Sequence, residues 1–138
     1  MVIYFMNTSY FVKTHDLLNQ GYTNLIAVSG YVPEFYSEQM KLDKRLHRCL
    51  ELAPKKEWFF DWKQGKFNND KYVELYYETV LNKLNAEELY EKLGFDAILL
   101  CYEKPNDFCH RHLIADWFNE KLKINVLEIN FELNENIF

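Results

Sequence analysis

The sequence has 138 residues, of which 49% are hydrophobic and 17% are aromatic, and its formal net charge is −5. This length fits one domain with a single core, and this apolar content excludes a disordered chain. The acidic balance argues against a dedicated nucleic-acid-binding protein, because such proteins usually carry a basic surplus.

The cysteines and the apolar runs together predict a cytoplasmic chain. Three cysteines, an odd number, favour reduced thiols over a disulfide framework. The N-terminal run at residues 1–6 has neither a basic segment nor a cleavage site, so we interpret it as a strand and not as a signal peptide. The longest apolar runs, such as residues 97–102, are too short to cross a bilayer, and no membrane contact is expected.

Apolar runs alternate with amphipathic segments along the chain. The predicted strands are residues 2–6, 23–29, 95–101 and 125–129. The predicted helices are residues 11–20, 34–40, 43–50, 57–63, a segment from Asn69 to Leu84, a segment from Asn85 to Gly94, and residues 108–123. This alternation predicts one α/β domain over residues 1–138, a three-layer sandwich with a small, mostly parallel sheet of about four strands and helices on both faces.

Three polar segments are expected to meet at one edge of this sheet. Ligands of open parallel sheets bind beyond the carboxyl ends of the strands. Asn7 and Ser9 follow the first predicted strand, Ser29 ends the second, and the segment from Cys101 to Arg111 follows the third. Such residues also serve simply to turn the chain, so each one alone supports either interpretation.

The segment from Cys101 to Arg111 carries the residue types best suited to chemistry. At 100° per residue, His110 falls in the middle of the buried face of the next helix, with Cys109 and Arg111 at its edges. The helix dipole and the arginine favour an anion, and a cysteine in this turn has a lowered pKa and nucleophilic character. Glu103 is placed to orient the histidine or to act as a base.

These residues predict a site for a small anionic, nucleotide-like ligand, either as a binding site or as an enzyme. The predicted catalytic residues are Cys109, His110 and Glu103, and the predicted ligand-binding residues are Arg111, Lys104, Asn7, Ser9 and Ser29. In the structural alternative Cys109 is a small packed residue, His110 a hydrogen-bonded core histidine and Arg111 an ion-pair partner. Residue types alone leave both interpretations open.

No metal and no other cofactor is expected from the sequence. The pattern C-x7-C-H-x-H, formed by Cys101, Cys109, His110 and His112, is not a common zinc spacing. On a helix the two histidines diverge by about 200°, so they do not share one ion. His112 is expected to point to solvent.

The basic segment from Lys41 to Lys66 supports a different function. It has eight Lys and Arg residues against four Asp and Glu residues, and its run 58–63 mixes aromatic rings with cations, as base-stacking surfaces do. Such a run more often packs a lid onto a core, and His47 and Arg48 are interpreted as surface residues. A nucleic-acid-associated module that uses residues 41–66 is thus a disfavoured alternative function. The third hypothesis is a non-catalytic interaction protein that forms a homodimer.

The stretch LLCYEKPNDFCHRHLIADW resembles the C-terminal signature of the bacterial "domain of unknown function" family 488: an apolar strand, L-C-x-E-K, a short loop, C-H-R and an apolar helix. Three further pieces agree with the family in their order along the chain: N-T-S-Y-F, S-G followed by Pro33, and L-A-P at residues 52–54. The resemblance therefore spans most of the chain. The positions that match the signature are Cys101, Glu103, Lys104, Cys109, His110 and Arg111. The resemblance implies a small prokaryotic or phage protein with an α/β sandwich and names no activity.

Overall fold

The computed structural model describes residues 5–130, which form one parallel sheet with helices on both faces. The strands are β1 (Asn7–Tyr10), β2 (Leu25–Ala27), β3 (Leu46–Arg48), β4 (Ile98–Cys101) and β5 (Leu127–Glu128). The helices are α1 (Thr14–Asn19), α2 (Glu34–Met40), α3 (Lys56–Lys63), α4 (Asn69–Thr79), α5 (Ala86–Leu93) and α6 (His110–Leu122). Short 3-10 turns lie at Phe11–Lys13, Leu50–Leu52 and Leu81–Lys83.

The order of the strands within residues 5–130 is β3-β2-β4-β1-β5, and every neighbouring pair is parallel. The central strand β4 pairs with β1 on one side and with β2 on the other, so that Leu99 lies between Thr8 and Ile26. Because all strands run the same way, their carboxyl ends meet at one edge of the sheet, where a parallel sheet binds its ligands.

The two faces of the sheet are covered by two separate hydrophobic cores. Side chains of a strand alternate between faces, so Ile98 and Leu100 enter one core while Leu99 and Cys101 enter the other. The smaller core includes residues of β2, α1 and α2, namely Leu25, Ala27, Leu17, Leu18 and Tyr36. The larger core includes residues of α3, α4, α5 and α6, namely Trp58, Tyr72, Tyr76, Leu89, Ile114, Trp117 and Phe118. The predicted three-layer α/β fold is confirmed.

The prediction for the first strand is wrong in its bounds. Residues 1–4 lie outside the described part of the chain, and the strand begins at Asn7, so the polar stretch expected after the strand is the strand itself. Thr8 and Ser9 are buried there despite their polarity. The Thr8 hydroxyl donates a hydrogen bond to Glu128 Oε1 of β5 at 2.5 Å, which explains how a polar residue is accommodated inside the sheet.

The helix predicted at residues 43–50 is also wrong. Asp43 accepts a hydrogen bond from the Arg45 backbone at 3.0 Å and turns the chain, and Leu46–Arg48 then pairs with β2 as the edge strand β3. Other helix predictions are confirmed with small shifts at the ends. The α4 cap is Asn68, not Asn69, whereas Asn85 caps α5 by accepting from the Glu88 N–H at 3.0 Å, as its spacing predicted.

Gly94 ends α5 with a φ of 101°, a conformation that glycine adopts at no steric cost. Within residues 5–130, no helix combines the length and the apolar character that a membrane span requires.

The packing of β4 leads to a stability prediction. Leu99 is 0% exposed, and its replacement in Leu99→Ala should lower the free energy of unfolding by about 2–5 kcal/mol, since a cavity forms in the larger core. Leu42 is 91% exposed, so Leu42→Ala should change the free energy of unfolding by no more than about 0.5 kcal/mol. Urea unfolding of the full chain measures the stability of both variants. Equal losses of unfolding free energy in the two variants would contradict the assignment of Leu99 to the core.

Candidate functional site

A cavity of about 900 Å³ opens at the carboxyl edge of the sheet. Its wall includes Ser29, which follows β2, Arg48 at the end of β3, and Cys101 at the end of β4. The loop from Tyr102 to the start of α6 and the helix α3 complete the enclosure. The site is therefore assembled from chain segments that are far apart in sequence and that the parallel sheet brings to one edge.

Aromatic rings form one side of this cavity. The rings on the wall are Tyr31, Phe59, Phe60, Trp62, Tyr72, Tyr102 and Phe108. Tyr72 is the centre of the group, with ring centroids 4.7 Å from Trp62 and 4.8 Å from Phe108 in edge-to-face contact. Trp58 anchors α3 behind them, and its Nε1 donates to Thr79 Oγ1 of α4 at 3.1 Å. Helix α3 thus packs as a lid over α4 and also presents rings to the cavity.

Positive charge faces the same cavity. Among the described residues of its wall, three carry a positive charge, Arg48, Lys56 and Lys63, against one carboxylate, Glu103. The Glu103 Oε1 atom lies 3.9 Å from Lys63 Nζ, so this carboxylate neutralises part of the charge of α3. Arg48 donates to the backbone oxygen of Gly30 at 2.9 Å, which holds its guanidinium beside the opening.

His110 forms part of the cavity wall at its buried end. Its Nε2 lies 2.7 Å from the backbone oxygen of Val28, and because a carbonyl only accepts, Nε2 carries the proton. The unprotonated Nδ1 then lies 3.9 Å from the Cys109 sulfur. Burial lowers the pKa of His110 to about 4, so the imidazole is neutral at pH 7 with a lone pair directed at the cysteine.

In the structure the sulfur atoms of Cys101 and Cys109 are in bonding contact as a disulfide, with their Cα atoms 7.4 Å apart, whereas the sequence led us to expect reduced thiols. Cys101 ends β4 and Cys109 is the residue before α6, so the strand and the helix start bring both sulfur atoms to the cavity. Cys49 is free and buried, and burial raises the pKa of its thiol. The predicted nucleophilic role of Cys109 thus concerns the dithiol form.

Arg111 is 0% exposed and is absent from the cavity wall. Its Nε and Nη2 donate to the two carboxylate oxygens of Glu128, each at 3.0 Å, and its Nη1 donates to the Cys101 sulfur at 3.0 Å. A guanidinium whose donors are used in this way is a structural ion-pair partner, which is the alternative that the sequence left open.

The other predicted site residues divide into two groups. Cys109, His110, Glu103 and Ser29 line the cavity, whereas Lys104, Asn7 and Ser9 do not. Asn7 lies at the amino end of β1, the opposite edge of the sheet, and Ser9 is buried within the strand. Lys104 is exposed in the loop before α6.

Several residues of the cavity wall were not predicted as site residues. Arg48 is exposed, as predicted, and it also lies on the cavity wall, because Leu46–Arg48 is a strand that ends at the site and not the predicted helix. Lys56 and the rings of α3 belong to the basic and aromatic segment 41–66, and no local pattern predicts that they share a cavity with Cys109. His112, expected in solvent, is partly buried, because the loop before α6 covers part of this face.

The buried ion pair leads to a second stability prediction. Glu128→Gln should destabilise the protein by about 3–5 kcal/mol, because it leaves the buried guanidinium of Arg111 without its counter-charge. The double variant Arg111→Met with Glu128→Gln should recover part of this loss, since no unpaired charge remains. Thermal or urea unfolding measures the stability of both variants. The control is Glu38→Gln, which removes an exposed ion pair and should change the stability little. A double variant as unstable as the single one would contradict the pairing.

Comparison with known proteins identifies the family. A family model described as "Active DUF488-N3 subclade", DUF488-N3a, matches residues 10–122. That range contains the cavity wall and the segment from Cys101 to Arg111. No match was found among curated proteins or among solved structures. Because the match covers most of the sequence, the chain belongs to the DUF488 family, in its DUF488-N3a subclade.

Proposed function

We propose that the cavity binds a small anionic ligand that carries a planar ring, such as a nucleotide, with Cys109 and His110 at its reactive end. The observation that carries this proposal is that aromatic rings and cations line the same cavity of about 900 Å³. Small-molecule sites are usually cavities of roughly 300–1,000 Å³ with mostly apolar walls and a few polar groups.

The rings are suited to a planar ligand. Phe60 and Tyr31 are exposed at the rim, with their centroids 6.2 Å apart, while Trp62 and Phe59 continue the aromatic wall inward. Stacking of a base on an aromatic side chain is worth about 1–3 kcal/mol and tolerates different bases. The wall therefore supports affinity for a nucleobase without specifying which one.

The cations are suited to the anionic part of the ligand. The guanidinium of Arg48 offers a planar fork that pairs bidentately with phosphate or carboxylate. Lys56 and Lys63 add charge, and helix α6 begins at the buried end of the cavity with the positive end of its dipole. This role, which the sequence assigned to Arg111, is better suited to Arg48 because only Arg48 is on the wall.

The buried end supports a reaction of the dithiol form. The Nδ1 lone pair of His110 is 3.9 Å from the Cys109 sulfur, so after reduction the Cys109 thiol can donate a hydrogen bond to this nitrogen. A thiol polarised in this way, at the end of the cavity that a bound ligand would reach, is the candidate nucleophile of the site. The Glu103 carboxylate forms an ion pair with Lys63 of α3. We therefore assign Glu103 to holding α3 in place and not to a role as a general base.

We place this function in the cytoplasm, where cysteine pairs are kept reduced. A single cavity with cations on its wall favours a small ligand over a nucleic-acid strand, for which the cations would have to follow a long groove.

The proposal predicts selective binding of nucleotides. Calorimetric titration of the reduced protein, with EDTA present, should show that nucleoside monophosphates bind more tightly than either inorganic phosphate or the free nucleosides. Arg48→Ala should weaken the binding about 10–100-fold, the equivalent of losing a charge-assisted contact of about 1.5–3 kcal/mol. Arg45→Ala is the matched control, because Arg45 pairs with Asp43 away from the cavity.

Absence of nucleotide binding, or equal effects of the two arginine variants, would contradict the proposal. Tight, salt-dependent binding of DNA or RNA that depends on the lysines of residues 41–66 would favour the nucleic-acid alternative instead.

A further inference from the structure

We propose that the reduced protein binds one Zn²⁺ ion at the buried end of the cavity through the Cys101 thiolate, the Cys109 thiolate and Nδ1 of His110. This site goes beyond the proposed nucleotide binding, because zinc binding requires no nucleotide. In the zinc-bound form Cys109 and His110 are metal ligands, so the thiol chemistry proposed above belongs to the metal-free dithiol form. The sequence led us to expect no metal, because C-x7-C-H-x-H is not a common zinc spacing and because His110 and His112 diverge on a helix.

The three ligand atoms already form a cluster. They lie within 4.8 Å of one another, and all three residues are buried. Two thiolates and one imidazole are a donor set that Zn²⁺ favours, with bonds of about 2.3 Å to sulfur and about 2.0 Å to nitrogen. Hard cations such as Mg²⁺ prefer oxygen ligands, which this cluster lacks.

The orientation of His110 fits a metal ligand. Its Nε2–H donates to the Val28 carbonyl at 2.7 Å, so Nδ1 is the atom with the free lone pair, and it is directed at the sulfur atoms. A metal-bound histidine almost always donates its other ring N–H to a carbonyl or carboxylate, which fixes the tautomer and the ring. The structure therefore holds the imidazole in the form and position that a metal requires.

The surroundings of Cys101 also fit a thiolate. Arg111 donates to the Cys101 sulfur at 3.0 Å, and Glu128 balances the charge of that guanidinium through two hydrogen bonds. With zinc bound, two thiolates neutralise the two charges of the ion, and the arginine and the glutamate neutralise each other. A buried site with no net charge avoids the large cost of burying an unpaired ion.

The disulfide is the oxidised form of the same pair of ligands. Two molecules of a thiol reductant convert it to two cysteine thiols and form one disulfide of the reductant, and zinc then displaces the two thiol protons. The Cα atoms of Cys101 and Cys109 are 7.4 Å apart. This separation leaves room for the reduced side chains to rotate until their sulfur atoms are about 3.8 Å apart, as tetrahedral zinc requires.

Three protein ligands leave one coordination position of a tetrahedral ion unfilled. Cys101, Cys109 and His110 all line the cavity, so a molecule in the cavity can approach this position. Zinc sites with three protein ligands and one open position hold a water molecule there and are typical of catalytic centres, whereas structural sites have four protein ligands. We infer a reactive zinc centre whose water is replaceable by an anionic group.

The test is a zinc titration of the full chain, reduced with a phosphine and freed of metal, in competition with a chromophoric chelator. We expect one Zn²⁺ per chain and no binding of Mg²⁺. Cys109→Ser should weaken zinc at least about 100-fold, more than the 10–100-fold that loss of an outer partner costs. Cys49→Ala and His112→Gln are the matched controls, a cysteine and a histidine outside the cluster, and should bind zinc as the wild type does.

Cobalt provides a readout that does not depend on the folding of variants. Co²⁺ added to the reduced wild-type chain should produce the near-ultraviolet charge-transfer band of a cobalt thiolate, and oxidation with diamide should abolish the band as the disulfide reforms. A reduced wild-type chain that binds no zinc, a cobalt complex without this band, or a loss in Cys49→Ala equal to that in Cys109→Ser would each overturn the proposal. Nucleotide binding in EDTA is measured separately, so failure of one proposal leaves the other standing.

Discussion

A guanidinium group is not buried in a protein without partners for its charge and its donors, and Arg111 is wholly buried at the first turn of α6. Its partners are Glu128 of the edge strand β5 and the sulfur of Cys101 at the end of β4. Glu128 in turn accepts a hydrogen bond from Thr8 of β1. One buried ion pair therefore links α6 to three strands and determines where the helix begins relative to the carboxyl edge of the sheet.

The candidate site depends on that position of α6. With the helix start held against β4, Cys109 meets Cys101, and His110 reaches across to the carbonyl of Val28 after β2. The buried ends of two strands and a helix thus converge on the sulfur atoms. On the other side of the cavity, α3 contributes rings and cations and is itself held by its packing on α4. A buried end and an aromatic wall with cations are the two parts of the candidate site.

Local patterns were sufficient where a segment packs in the way its own residues favour. The apolar run of β4, the Asn85 cap of α5 and the inward face of His110 were all predictable, because periodicity and capping depend on residues a few positions apart. Leu46–Arg48 was not predictable as a strand. Three residues carry no clear period, and only pairing with β2 makes them a strand.

The sequence by itself determined the α/β class and the parallel sheet, and it selected the segment from Cys101 to Arg111 as the candidate site, because these follow from hydrophobic alternation and from residue types. Only the tertiary structure decided which arginine faces the cavity and which is an internal ion-pair partner. Arg111 and Arg48 are equivalent as residue types, but Glu128 is a partner for the first and the open edge of β3 exposes the second. The choice depends on contacts between segments distant in sequence, and no local pattern encodes those contacts.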